Sequence, residues 1–198
     1  MKFKQPLVED LLRAIKAMKK LQSVDEVSLL FPKLVYKDVL LCVMSDAAFG
    51  NLVDGVSSGG GHVIFLADNS SRCALLAWKA NKIRRVVRST MAAEALALEE
   101  CLEHAIYLRS LLKEMTGGLI DPRIEAWTDN RDTYAAVYST KLISDLKLRI
   151  DLACIKENVE KERVILKHCT GDKMLANPLT KRGANSDDLL RVMARGSF

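Results

Sequence analysis

The stretch of sequence that decides the fold is residues 39–46, VLLCVMSD, an apolar run that ends on the carboxylate of Asp46. A glycine-rich, turn-forming stretch follows it, which is typical of a short buried β-strand. A second strand-like run, residues 124–129, ends on Asp129, and Glu94 lies in the first turns of a long helical segment between the two. Buried carboxylates are costly unless a cation meets them. The three acids therefore predict a divalent metal site, for which phosphodiester cleavage is the natural chemistry.

Apolar periodicity and turn signals predict the other elements of the chain. A turn signal at residues 68–71 separates two further strand candidates, residues 62–67 and 73–78. The glycine triplet at residues 59–61 is interpreted as a turn, because no G-K-[ST] follows it to make a phosphate loop. A strand is predicted over residues 163–168, and helices over residues 7–20, about 90–115, from about 131, about 145–160 and about 186–195.

The order of these elements predicts an α/β fold. Three successive strands favour an antiparallel meander, and the two later strands, each after a helix, join it in parallel. The result is a five-stranded mixed sheet flanked by helices. If the first and fourth strands are neighbours, Asp46 and Asp129 meet at their carboxyl ends, where open α/β sheets place their sites. Glu94 follows Met91 by three residues and precedes Leu98 by four, so it points along the inward face of its helix.

Bulk composition limits the class of protein. The 198 residues hold one domain and a small appendage, and the net charge of +5 suits either a nucleic-acid partner or an ordinary solvated surface. No run of 18 apolar residues occurs, and the first residues lack the apolar core of a signal peptide, so no membrane span is expected. Five widely spaced cysteines without a zinc pattern predict a reduced, intracellular protein without disulfides.

A basic segment comes just before the helix that carries Glu94. A charge run is usually a solvated face, but this position favours contact with phosphates. The polar residues at predicted helix starts can cap the helix or meet a phosphate. The candidates for nucleic-acid contact are Lys82, Arg84, Arg85, Arg88, Ser89, Thr90 and Asn130.

Seven segments, in the same order along the chain, resemble the ribonuclease H domain of copia-type (Pseudoviridae-like) LTR-retrotransposon Pol polyproteins. The resemblance covers about residues 35–185. It implies a ribonuclease H-like fold over residues 35–198, and residues 1–34 look like the N-terminal helix and connector that join such a domain to the reverse transcriptase. The segments are residues 45–47 (SDA), 61–66 (GHVIFL), 88–94 (RSTMAAE), 105–112 (AIYLRSLL), 128–130 (TDN), 148–151 (LRID) and 168–181 (HCTGDKMLANPLTK).

This resemblance implies an endonuclease that cleaves the RNA strand of RNA–DNA hybrids, recognised by its 2′-hydroxyls. Two Mg²⁺, for which Mn²⁺ can substitute, would be held by Asp46, Glu94, Asp129 and Asn177, one activating water and one stabilising the leaving oxygen. The implied partners are the hybrid and the reverse transcriptase of the same polyprotein, in the cytoplasm, a virus-like particle or the nucleus. His168 is either a structural residue at a strand end or an aid to proton transfer and product release.

One position departs from the family pattern. Asn177 stands where the family has a fourth acid, and asparagine offers a metal an oxygen but no charge. The chain is therefore also compatible with a catalytically impaired module that binds hybrids or duplexes, or with a structural connection domain that orients a polymerase. An integrase-type nuclease shares the fold class, but its acids follow the order Asp–Asp–Glu rather than the Asp–Glu–Asp found here.

Overall fold

The computed structural model describes residues 7–23, 28–181 and 183–198. Two short 3₁₀ turns, Tyr36–Asp38 and Gly171–Lys173, accompany the regular elements. The strands are β1 (Leu40–Ala48), β2 (Gly59–Ala67), β3 (Cys73–Lys82), β4 (Arg123–Thr128) and β5 (Val164–His168). The helices are α1 (Val8–Gln22), α2 (Thr90–Met115), α3 (Arg131–Tyr138), α4 (Leu146–Glu160), α5 (Asn177–Thr180) and α6 (Asp187–Arg195).

The five strands form one mixed sheet in the order β3-β2-β1-β4-β5. The β1–β2 and β2–β3 pairs are antiparallel, whereas β1–β4 and β4–β5 are parallel. This is the predicted arrangement, and the predicted adjacency of the first and fourth strands is confirmed. Because β1 is central and covered on both faces, its sequence is a continuous apolar run rather than an alternating one.

Two apolar cores lie on opposite faces of the sheet. On one face, Leu41 and Val43 pack with Leu98 of α2 and Ile155 of α4. On the other face, the smaller core contains Cys42, Val63 and Phe65 with Leu189 and Val192 of α6. The large core holds the long helix α2 against β1, and so fixes the helix that carries Glu94 relative to the strand that carries Asp46.

Helix α2 begins and ends where the sequence predicts. The side-chain oxygen of Ser89 accepts a hydrogen bond from the Ala92 N–H at 3.1 Å, which satisfies a free donor at the helix start. After Thr116, Gly117 and Gly118 adopt positive φ angles of 59° and 85°, a conformation that glycine reaches without steric cost.

The interpretation of residues 59–61 as a turn is wrong, because these glycines begin strand β2. Their backbones pair with β1 on one side and with β3 on the other. Gly61 lies opposite Asp46, and a Cβ atom there would come within 2.8 Å of the Leu179 Cβ. The glycine is therefore needed for the close approach of helix α5, which periodicity did not predict.

Backbone contacts hold the connector against α6 and residues 196–198 against the start of β3. In the connector, the Leu30 N–H donates to the Met193 carbonyl at 2.9 Å. At the other end, residues 196–198 run beside the start of β3, where the Cys73 N–H donates to the Gly196 carbonyl at 2.8 Å and the Phe198 N–H to the Ser71 carbonyl at 3.0 Å. We refer to residues 196–198 as the C-terminal tail.

Residues 7–19, which include most of helix α1, are exposed. Among them are the apolar residues that predicted the helix, namely Leu7, Leu11, Ile15 and Met18. Residues 1–6 and 24–27 lie outside the described residues. They belong to the predicted segment 1–34, and the first six are the residues from which the absence of a signal peptide is predicted. The boundary between residues 34 and 35 stays a prediction. Among the described helices, none has the length and apolar character that crossing a bilayer requires.

Candidate active site

Three carboxylates converge at one edge of the sheet. Asp46 lies near the carboxyl end of β1, Glu94 in the first turns of α2, and Asp129 directly after β4. One carboxylate oxygen from each residue lies within 4.8 Å of the other two. Asp46 is 0% exposed and Glu94 is 4% exposed, whereas Asp129 is half-buried. The parallel pairing of β1 with β4 and the packing of α2 on β1 produce this meeting, and we call the three residues the carboxylate cluster.

The carboxylate cluster is electrostatically strained without a cation. Burial, together with the neighbouring Asp46 and Asp129 carboxylates, raises the pKa of Glu94 to about 8. Burial and Asp46 also raise the pKa of Asp129. Within the described part of the chain, the buried Glu94 Oε2 has no hydrogen-bond partner. An unpaired buried carboxylate oxygen is rare in folded proteins, and the three carboxylates are close enough together to hold a cation.

Helix α5 and Lys181, the residue that follows it, supply two contacts to Asp46 that were not predicted from the sequence. The Thr180 hydroxyl donates to Asp46 Oδ2, and the Lys181 ammonium nitrogen lies 3.0 Å from Asp46 Oδ1. Both residues belong to the segment LANPLTK, which carries the last part of the family resemblance. This resemblance is the feature of the sequence that could have identified them. Both oxygens of Asp46 are thus held by one short segment.

Asn177 lies beside the carboxylate cluster, and its side chain bonds within the protein. The amide nitrogen donates to the Gly171 carbonyl at 2.6 Å, and the amide oxygen accepts from the Lys181 ammonium group. Lys181 therefore bridges Asn177 and Asp46. The expected fourth ligand is near the site, but its oxygen already has a partner.

His168 and Asn130 make hydrogen bonds close to Asp129, between the end of β4 and the start of α3. His168 Nε2 lies 3.3 Å from the Asp129 backbone oxygen, and its ring contacts Tyr134 edge-on with centroids 6.0 Å apart. Asn130 Oδ1 accepts from the Thr133 N–H at 2.8 Å and so caps α3. Both residues make contacts that hold the β4–α3 junction, and Asn130 is also placed next to a cluster residue.

The residues of the basic segment differ in their exposure and in their ion-pair partners. Lys82 makes an ion pair with Asp54 at 3.0 Å, and Arg85 makes one with Asp151, whose side chain is only 5% exposed. Arg84, Arg88 and Thr90 are exposed, and Ser89 caps α2. Arg84 and Arg88 are thus accessible to a ligand, and so is Lys82, whereas the Arg85 guanidinium is held by the nearly buried Asp151.

Comparison with known proteins gives matches among solved structures alone. No family model matches the chain, and no curated protein matches it. The N-terminal ribonuclease H domain of a Mycobacterium tuberculosis protein matches with 17% identity over 77% of this chain and 96% of that one, at a TM-score of 0.53. The fold is that of ribonuclease H. LC11-RNase H1, solved in complex with an RNA/DNA hybrid, has the ribonuclease H fold too and matches with 19% identity over 71% of this chain and 93% of that one, at a TM-score of 0.50.

Proposed function

We propose that this protein is a metal-dependent endonuclease that cleaves the RNA strand of RNA–DNA hybrids. The observation that carries the proposal is the carboxylate cluster, with three oxygens within 4.8 Å and the buried Glu94 Oε2 unpaired among the described residues, on a ribonuclease H fold. The hybrid bound to LC11-RNase H1 supports the same class of substrate for this chain. Shape and 2′-hydroxyl contacts are the usual basis of such recognition.

The donor atoms of the cluster fit Mg²⁺. Magnesium prefers oxygen ligands and is commonly held by carboxylates together with substrate phosphate. Mn²⁺ accepts the same ligands. A bound divalent ion supplies the polarisation of the phosphate and the acidification of the attacking water that hydrolysis needs.

The protein's own residues hold the carboxylates in place for this reaction. Thr180 and Lys181 fix the orientation of Asp46, and the α2 cap at Ser89 fixes the turn that carries Glu94. Asp129 is positioned between the end of β4 and the Asn130 cap of α3. Ligands on rigid elements keep their geometry when metal and substrate arrive.

The wider context of the enzyme follows from the family resemblance. The seven segments support a ribonuclease H of the copia retrotransposon type, acting beside the reverse transcriptase of the same polyprotein. In this context the enzyme degrades the RNA strand during reverse transcription. Its place of action is then inside the cell, in the cytoplasm, a virus-like particle or the nucleus.

A second candidate function is a module that binds hybrids without cutting them. The observation that favours it is the side chain of Asn177, which uses both its amide nitrogen and its amide oxygen within the protein. An ion on that side of the cluster would lack the charged ligand found in the family pattern.

A cleavage assay separates the two candidates. We expect the protein to cut the RNA strand of a labelled RNA–DNA hybrid in Mg²⁺ or Mn²⁺, and to leave the DNA strand intact. Asp129→Asn should lower the rate by about 100-fold or more, because it removes a charged ligand. The matched control is Asp132→Asn, an exposed acid in the first turn of α3, which should cut normally.

Two results would count against the proposal. Hybrid binding without cleavage at any Mg²⁺ or Mn²⁺ concentration would select the second candidate. Equal cleavage by the wild type and Asp129→Asn would show that the carboxylate cluster is not the active site.

A further inference from the structure

The side of the carboxylate cluster that faces helix α5 already contains a positive charge. Lys181 Nζ lies 3.0 Å from Asp46 Oδ1 and also donates to Asn177 Oδ1. The other Asp46 oxygen accepts from Thr180, and the Asn177 amide nitrogen donates to Gly171. Every polar side-chain atom of Asp46 and Asn177 thus has a partner from the protein.

Glu94, the second acid of the cluster, is less fully paired than Asp46. Glu94 is 4% exposed, yet its Oε2 has no partner among the residues described, and leaving such an atom unpaired is costly. An Asp129 oxygen lies within the same 4.8 Å group. The unmet need for a cation therefore lies with Glu94 and Asp129, whereas both oxygens of Asp46 already have partners from the protein.

We propose that the Lys181 ammonium group is a built-in cation of this centre, and that the protein alone consequently binds one divalent ion rather than two. The inference rests on the proposed function, because it concerns the metal of that same site. It replaces the two-ion arrangement that the family resemblance implies.

The charge balance supports a single ion. Asp46, Glu94 and Asp129 carry three negative charges when ionised, and Lys181 carries one positive charge. One divalent ion brings this group to neutrality, whereas a second would leave two positive charges without a counter-ion. Charges a few ångströms apart in a partly buried site interact strongly, so the near-neutral arrangement is favoured. A carboxylate at position 177 would offset half of that excess, and asparagine does not.

The test measures metal binding rather than activity. Mn²⁺ is titrated by calorimetry and by electron paramagnetic resonance into the wild type, Lys181→Met and Asn177→Asp. The control is Lys173→Met, which removes the same charge from a residue that lines the cavity between the sheet and α6. Circular dichroism of each metal-free variant checks that it is folded.

We expect the wild type and Lys173→Met to bind one Mn²⁺ per chain. Lys181→Met should bind its first ion roughly tenfold more tightly, because a positive charge has been removed from the site. Lys181→Met and Asn177→Asp should also take up a second ion, seen as a spin-coupled pair about 4 Å apart.

Two outcomes would overturn the inference. A coupled pair of Mn²⁺ ions in the wild type would show that Lys181 does not occupy the place of an ion, while the proposed metal-dependent function would stand. An absence of Mn²⁺ binding in all four proteins would instead remove the metal site itself, and with it the proposed function.

Discussion

Individual residues in the carboxylate cluster differ in how well their charges are compensated. Asp46 has both oxygens bonded to one short segment, whereas Glu94 has an oxygen to which no described residue donates a hydrogen bond. The sequence predicted where the acids lie, because strand ends and helix faces can be read locally. It did not predict Thr180 and Lys181 as partners of Asp46, because those contacts join residues 134 and 135 positions apart.

The raised pKa of Glu94 makes the stability of the metal-free protein depend on pH. Between its unfolded pKa of 4.5 and its folded pKa of about 8, the folded state holds a proton that the unfolded state has lost. The free energy of unfolding therefore falls as pH rises through this window, by an amount of the order of a few kcal/mol. Urea denaturation in EDTA at pH 5, 7 and 9 measures this loss.

The control for this prediction is Glu94→Gln, which cannot ionise and should lose most of the pH dependence over the same range. Mn²⁺ added at pH 8 should stabilise the wild type and have little effect on Glu94→Gln. If the free energy of unfolding of the metal-free wild type and of metal-free Glu94→Gln changed with pH in the same way, the pKa of Glu94 in the folded protein would not be raised.

Among the elements, α5 is a single turn of four residues, yet its Thr180 helps to orient Asp46. Periodicity does not detect a four-residue helix, so its segment was recognised through the family resemblance alone. The prediction of a turn at the glycines that begin β2 is wrong for a related reason, since clustered glycine is typical of turns. Here Gly60 makes room for Ile83 and Ala97, and Gly61 makes room for Leu179.

Gly61→Ala should disturb the site through the packing of α5. The added Cβ would lie 2.8 Å from the Leu179 Cβ, so α5 must move away from the strand and loosen its bonds to Asp46. We expect a loss of about 1–3 kcal/mol in the free energy of unfolding. Urea denaturation measures it, and a changed Mn²⁺ affinity reports the altered site.

Gly59→Ala is the matched control in the same strand. Its Cβ would lie 3.4 Å from Asn51 Oδ1, which is an ordinary contact, so its stability should stay near that of the wild type. Equal stability and equal Mn²⁺ affinity for Gly61→Ala and Gly59→Ala would show that α5 does not depend on the absence of a side chain at residue 61.

At the level of the whole molecule, the sheet order and the bounds of the long helices could be predicted from the sequence, whereas β2 begins before its predicted start at residue 62 and β3 runs to Lys82, beyond its predicted end at residue 78. Apolar alternation, helix caps and the direction of connections are properties of neighbouring residues, and α2 matched its predicted range because Ser89 and Gly117 mark its ends. The contact of the connector with α6, at Leu30 and Met193, could not be predicted, because nothing local in either segment specifies the other.

The basic surface should contribute to hybrid binding through its exposed residues. Arg88→Ala should weaken binding and reduce the slope of log affinity against log salt by about one, because one phosphate contact is lost. Fluorescence anisotropy between about 50 and 200 mM salt, with Asp129→Asn as the inactive background and a labelled hybrid, measures the slope.

Arg85→Ala provides the comparison, since Arg85 pairs with the nearly buried Asp151. It should leave the salt slope close to that of the background and lower the free energy of unfolding by about 3 kcal/mol, because a buried charge loses its partner. If the slope of log affinity against log salt changed in Arg85→Ala and not in Arg88→Ala, Arg85 rather than Arg88 would be the residue that contacts the phosphate.

The C-terminal tail has a consequence for the solution behaviour of the protein. Strand β3 is at the edge of the sheet, and an uncovered edge strand is a template on which a second copy can add a strand. The tail pairs with residues 71–73, where β3 begins, and lysines at positions 79 and 82 lie farther along the strand. Removing residues 196–198 would expose backbone groups at the start of this edge, so these residues limit self-association through β3 even though they are far in sequence from the carboxylate cluster.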